Sequence, residues 1–208
     1  MTHLVPFAHP SRPHERRHGP CGYATYDGYK QWLRDEFAFR CVYCLERETW
    51  YPDTAASFSV EHVIAQSEDE ARICDYTNLV YACTRCNSTR QDKRILDPTE
   101  VAFGDHLRLG DDGHLMGVTV DGQYLIKLLR LNEGRIVAVR RKYLRLLSLA
   151  EKYPADALIA AIILEEFGFP DDTPDLRTMR PPGGNTRPGS ERSCYFVRRE
   201  NGSLPPTY

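Results

Sequence analysis

Four cysteines in two pairs, Cys41-Val-Tyr-Cys44 and Cys83-Thr-Arg-Cys86, have spacing suited to metal chemistry. Two C-x2-C pairs can place four thiolates tetrahedrally around one zinc, each pair forming a tight knuckle. The stretch 45–82 between them exceeds the ~15–20 residues of a compact zinc ribbon. The metal is therefore expected to clamp the ends of an inserted functional unit. Inside that unit stands Val60-Glu61-His62-Val63. Adjacent strand positions point to opposite faces, so Glu61 and His62 can do two jobs, one holding a metal and one facing a substrate. Asn87 follows Cys86 directly, an amide that a purely structural knuckle does not require.

The elements that must position these groups are legible in outline. Asp27 offers an N-cap for a short helix, in which Tyr29, Trp32, Leu33 and Phe37 form a core-facing stripe that leads to Cys41. Phe58–Val63 and Leu79–Ala82 read as strands, with a polar loop over Gln66–Thr77 between them. A short helix is expected from Cys86 to Lys93, ended by Asp97-Pro98. Further on come a strand at Leu115–Val120 and a helix at Tyr124–Leu131. A longer helix at Glu133–Lys152 carries an apolar stripe of Ile136, Val137, Leu144, Leu147 and Ala150. Pro154 introduces a last helix, Ala155–Phe167, stopped by Gly168 and Pro170. The domains read as an irregular basic arm (1–22), a domain framed by the cysteine pairs (23–100), an accessory region (101–170) and a Pro/Gly-rich linker or disordered tail (171–208). The arm's histidines, His3, His9, His14 and His18, are too loosely spaced to read as a metal site.

The chain has 208 residues and a formal net charge of -2, which does not announce a nucleic-acid binder. The charge is uneven, however. Arg85, Arg90, Lys93 and Arg94 stand against Asp92 alone, and a second basic run spans Lys127–Arg145. No leader or membrane-length apolar run is visible, so a reducing cytoplasm is expected. There, seven cysteines, an odd number, do not make a paired disulfide framework. Cys21, Cys74 and Cys194 are read as non-ligands.

The segment from Cys41 to Cys86, with Glu61-His62, Asn78-Leu79 and Cys83-x2-Cys86-Asn87, resembles the HNH endonuclease family in its four-cysteine form. The resemblance covers residues 38–98. It implies a ββα-metal (HNH/His-Me finger) nuclease core with a structural zinc; with the helices read beyond residue 120, the chain is expected to be α+β, with a mostly helical C-terminal accessory region. It implies His62 as general base on water and Asn78 as the residue that pins the loop and orients that histidine. It implies Glu61 and Asn87 as ligands of a catalytic Mg2+ or other divalent cation. Glu61 has one methylene more than the usual aspartate, and Arg90 stands where relatives often have lysine. Arg90 or Lys93 would stabilise charge on phosphate, with Arg85 and Arg94 as further nucleic-acid contacts. The partner implied is nucleic acid, DNA by analogy, with no membrane. Two alternatives stand beside this reading. One is a non-catalytic zinc-stabilised nucleic-acid-binding module. The other is a nuclease subunit of a multi-protein bacterial defence or mobile-element complex, which docks a protein partner through the helices at 124–168.

Overall fold

The run Leu79-Val-Tyr-Ala-Cys83 has no polar residue, which is the pattern of a strand covered on both faces. In the computed structural model, which describes residues 4–208 apart from the side chains of Thr54 and Ala55, it forms β2 (Leu79–Cys83), buried at every position. Its partner is β1 (Phe58–His62), antiparallel and in a register that sets Phe58 opposite Cys83 and His62 opposite Leu79. Phe58 stacks on the diagonal neighbour Tyr81 at 5.2 Å between ring centroids, which supports this register. A 3-10 turn at Tyr26–Tyr29 leads into helix α1 (Lys30–Glu36), which packs on both strands. Its expected stripe, Tyr29, Trp32, Leu33 and Phe37, is buried. Asp27 lies within the 3-10 turn rather than capping it; Thr25 precedes the turn as its N-cap. A single helical turn, α2 (Thr54–Ser57), precedes β1, and α3 (Thr84–Arg90) follows β2 directly.

The chain divides into two compact units. One comprises Glu15–Asp97 and Pro170–Pro205 and contains the elements above. The Pro/Gly-rich segment, expected as a linker or disordered tail, has regular structure here: two 3-10 turns, at Leu176–Thr178 and Ser190–Ser193, and a C-terminal helix at Tyr195–Glu200. Buried acids of α1 explain this order. Asp35 accepts from Tyr195 N at 2.7 Å, and its other oxygen lies 2.8 Å from His18 Nε2. Arg34 bridges buried Glu48 and Asp172. Glu36 accepts from His18 N and from the Tyr76 hydroxyl. Composition predicted disorder because it does not register buried charges that find partners far away in sequence. His18 is thus a packed residue, and His3 lies outside the described residues.

The other unit comprises Met1–His14, Pro98–Phe169 and Pro206–Tyr208. It holds a small hairpin, β3 (Leu107–Leu109) with β4 (Leu115–Gly117), then α4 (Val120–Leu128), α5 (Gly134–Lys152) and α6 (Ala157–Phe167). The strand expected to reach Val120 stops at Gly117 because the Thr119 hydroxyl accepts from Gly122 N at 3.0 Å and opens α4. That cap also moves the helix expected at Tyr124–Leu131 back to Val120–Leu128. Strand β3, at three residues, was too short to show an alternating pattern. Much of the basic run in this unit has structural work: Arg140 is buried and donates to Leu131 O and Gly113 O, and Arg141 donates to Asp112 O. Among the described residues, no helix is long and apolar enough to cross a membrane.

Candidate nuclease site

The first knuckle is a tight turn. Leu45 N donates to Cys41 O, Cys41 N donates to Glu46 O, and Leu45 takes φ +61°. Val42 N donates to Tyr81 O, which fastens this knuckle to β2. The second is the β2–α3 junction, where Cys83 precedes the helix and Cys86 lies in its first turn. All four sulfurs are buried, lie within 4.8 Å of one another and form no disulfide. Zn–S bonds of about 2.3 Å in a tetrahedron require sulfurs about 3.8 Å apart, and Cys44 Sγ is 3.7 Å from Cys83 Sγ. The cluster fits a zinc ion. Arg85 Nη2 lies 3.2 Å from Cys86 Sγ, where its charge offsets that of thiolates. Arg85, expected as a nucleic-acid contact, is half-buried beside the cysteine cluster.

His62 ends β1 and is buried, 5% exposed. Its Nε2 lies 2.9 Å from Ile73 O, and a carbonyl can only accept, so Nε2 carries the proton and Nδ1 the lone pair. Nδ1 lies 3.3 Å from Nε2 of Gln66, an exposed side chain. Tyr26 sets its ring edge-on to the imidazole at 4.9 Å. Burial lowers the His62 pKa below its ordinary 6.5, with the Arg90 charge adding and the Ile73 hydrogen bond opposing. The imidazole is therefore neutral at pH 7.

Asn78, at the end of the 3-10 turn Tyr76–Asn78, is 1% exposed. Its Oδ1 accepts from Ile64 N at 2.8 Å, and its Nδ2 donates to Ile64 O and Arg72 O at 3.1 and 3.2 Å. One amide thereby ties the start of the 64–78 loop to Arg72, immediately before the carbonyl that holds His62.

Asn87 and Arg90, one helical turn apart on α3, both face β1. Asn87 Nδ2 donates to Ser59 Oγ at 2.9 Å and Val60 O at 3.3 Å. Glu61 is buried and ion-paired with Arg90 Nη1. Burial pushes its carboxyl up to about 7 while the guanidinium pulls the other way. Arg90, 2% exposed, also donates from Nη1 to His62 O, from Nη2 to Val63 O at 2.5 Å and from Nε to Lys93 O at 2.9 Å. Asn87 and Glu61 thus both meet at the β1–α3 packing, Asn87 through Ser59 and Val60 and Glu61 through Arg90.

Residues 41–93 match the HNH endonuclease family model. No curated protein matches the chain. The HNH match begins on the first zinc-knuckle cysteine and ends on Lys93, whose carbonyl receives Arg90.

Arg85 aside, the expected residues from Cys41 to Arg94 fall into three groups. Cys41, Cys44, Cys83 and Cys86 come together as a set. Glu61 and His62 end β1, where Arg90 is buried against both and Asn78 holds the loop beyond, while Asn87 reaches the middle of the strand at Ser59 and Val60. Lys93 is exposed, and Arg94 is exposed and paired with Glu68. Three further contacts of the imidazole, from Tyr26, Gln66 and Ile73, were not found from the sequence. The Ile73 contact is a main-chain carbonyl, which any residue type supplies, and Tyr26 comes from outside the cysteine frame.

Proposed function

We propose that the HNH segment is the catalytic unit of a metal-dependent endonuclease that hydrolyses phosphodiester bonds, with DNA as substrate. The order β1, β2, α3 with zinc at the knuckles supports a ββα-metal core. The observation that carries the reading is the His62 tautomer. Its protonated nitrogen is held by Ile73 O, and its basic nitrogen faces the exposed Gln66. When the Gln66 amide swings aside, a water at Nδ1 can give up its proton to a neutral imidazole as its oxygen bonds to phosphorus. The bond to the 3′ oxygen then breaks. Glu61 and Asn87 would hold the divalent cation. Such an ion stabilises charge on the phosphate and the departing oxygen.

Arg90 takes a different part from the phosphate grip expected of it. Its guanidinium is spent on Glu61 and three carbonyls, so we assign it to positioning: it fixes Glu61 and the main chain at His62 and Val63. The same buried ion pair also suits a second reading, a zinc-stabilised module that binds nucleic acid without cutting it. Nicking of supercoiled plasmid with Mg2+, Mn2+ or EDTA separates the two. Nicking by wild type that is lost with EDTA and in His62→Ala is expected. Binding with no nicking by wild type establishes the module. Metal-dependent nicking undiminished in His62→Ala overturns the proposed base.

A further inference from the structure

Outside the HNH segment, four side chains of the same compact unit form a second run of hydrogen bonds. Ser190 Oγ lies 3.2 Å from His18 Nδ1, and His18 Nε2 lies 2.8 Å from Asp35 Oδ1. Asn185 Nδ2 lies 3.1 Å from Ser190 Oγ, and its second hydrogen faces Glu191 Oε2 at 3.4 Å. The directions of these bonds follow from one another. Asn185 Oδ1 accepts from Gly19 N at 3.1 Å and Arg187 N at 3.0 Å, which fixes Nδ2 as the end that donates to Ser190. The Asp35 carboxylate can only accept, so His18 Nε2 carries the proton and Nδ1 of the neutral ring keeps its lone pair. The Ser190 oxygen accepts from Asn185, and its own proton has that lone pair as acceptor. The base end is rigid: Asp35 and His18 are 0% and 1% exposed, Asp35 also accepts from Arg17 Nη2 and Tyr195 N, and Trp32 meets the imidazole edge-on at 5.5 Å. The serine end reaches the surface, where Ser190 and Asn185 are half-buried. Gly189, at φ +88°, turns the chain just before Ser190. Chain neighbours aside, no atom lies within 4 Å of where a Cβ of Gly189 or Gly184 would stand, so space is open beside both side chains.

We infer that Ser190 is an activated nucleophile that takes the acyl group of a small carboxylic ester. His18 is its general base and Asp35 positions the imidazole, roles that recur on unrelated folds and are recognised by geometry. The two ring nitrogens are exchanged relative to the serine-protease template, which leaves the proton path the same. As Ser190 Oγ bonds to the carbonyl carbon, its proton passes to His18 Nδ1. Asn185 Nδ2 can then donate to the oxyanion, as a side-chain amide does in other acyl-transfer sites. Collapse breaks the bond to the alcohol oxygen, which leaves with the proton from His18. Water, deprotonated by the same nitrogen, releases the acid and restores Ser190. None of the four residues lies within residues 41–93, so the inference is independent of the nuclease reading.

The test uses the full zinc-loaded chain and a fluorophore-bearing fluorophosphonate, which bonds to an activated serine oxygen with loss of fluoride. Peptide mass spectrometry is expected to find a stoichiometric adduct on Ser190 of the native chain and none after unfolding in urea. Hydrolysis of p-nitrophenyl acetate is expected to fall to the uncatalysed rate in Ser190→Ala. His18→Gln, checked for folding by circular dichroism, is expected to slow labelling about 100-fold or more. The comparison of native with unfolded chain covers the case in which that variant does not fold. Four results overturn the proposal: no adduct on Ser190, equal labelling of native and unfolded chain, ester hydrolysis unchanged in Ser190→Ala, or labelling undiminished in folded His18→Gln.

Discussion

Replacing Arg90 with methionine tests whether the HNH site is held together from inside. The substitution removes four hydrogen bonds at once, to Glu61 Oε1, His62 O, Val63 O and Lys93 O, and leaves the Glu61 carboxylate buried without its counter-ion. Breaking a buried ion pair from one side costs about 3–5 kcal/mol, and each carbonyl left without a donor adds roughly 1 kcal/mol. Protonation of Glu61, whose pKa burial already pushes up to about 7, relieves part of the charge cost. A net loss of about 4–6 kcal/mol is expected, a large share of the ~5–15 kcal/mol that stabilises a typical domain. Urea unfolding of the zinc-loaded chain measures it. Arg90→Lys keeps the charge but has a single nitrogen, which cannot reach acceptors spread over Nη1, Nη2 and Nε, so it is expected to lose about half as much. Glu61→Leu combined with Arg90→Met is expected to recover most of the stability and none of the activity, since an apolar pair can stand in for a buried ionic one. A chain with Arg90→Met that keeps the wild-type unfolding midpoint and loses nicking would refute the reasoning. Arg90 would then be a substrate contact.

Asn78→Asp puts an oxygen against Ile64 O and Arg72 O in place of two donated hydrogen bonds. A loss of about 2–4 kcal/mol is expected in urea unfolding, with nicking reduced further than stability accounts for, since the loop carries the carbonyl that orients His62. Because the His62 pKa lies below 6.5, its base form persists as pH falls through 6.5. The acid limb of log kcat/KM is therefore expected below that value, and an inflection above it contradicts the assignment. The same direction of shift means that the folded state loses this contribution to stability as pH falls from 6.5 through the folded pKa. Cys86→Ser is expected to lower bound zinc well below one equivalent per chain by atomic absorption, whereas Cys21→Ser and Cys74→Ser leave it unchanged.

The zinc frame and the strands were readable because they depend on spacing and on residue type. Cys41, Cys44, Cys83 and Cys86 occur at ligand intervals, and β1 and β2 are the apolar or β-branched runs between them. The loop that serves His62 was readable only through Asn78, because its other contributions are the Ile73 carbonyl and an exposed glutamine, Gln66, that no motif marks. The burial of Arg90 was not legible for a related reason: only the packing of α3 on β1 turns this basic residue inward, onto Glu61. The segment 171–208 was misread because its order depends on Asp35 and Arg34, more than 130 residues earlier.

That last dependence bears on how this protein is made. Residues 41–93 leave the ribosome long before Tyr195, whose amide completes the bonding of Asp35. Until then α1 has a buried carboxylate lacking one of its donors, and β2 rests on a helix not yet secured. Residues 98–169 are translated in the interval and belong to the other unit. The boundaries of the HNH match are therefore not those of the compact unit that holds it, and a nascent chain carries all the candidate site residues before the last part of that unit, Pro170–Pro205, is made.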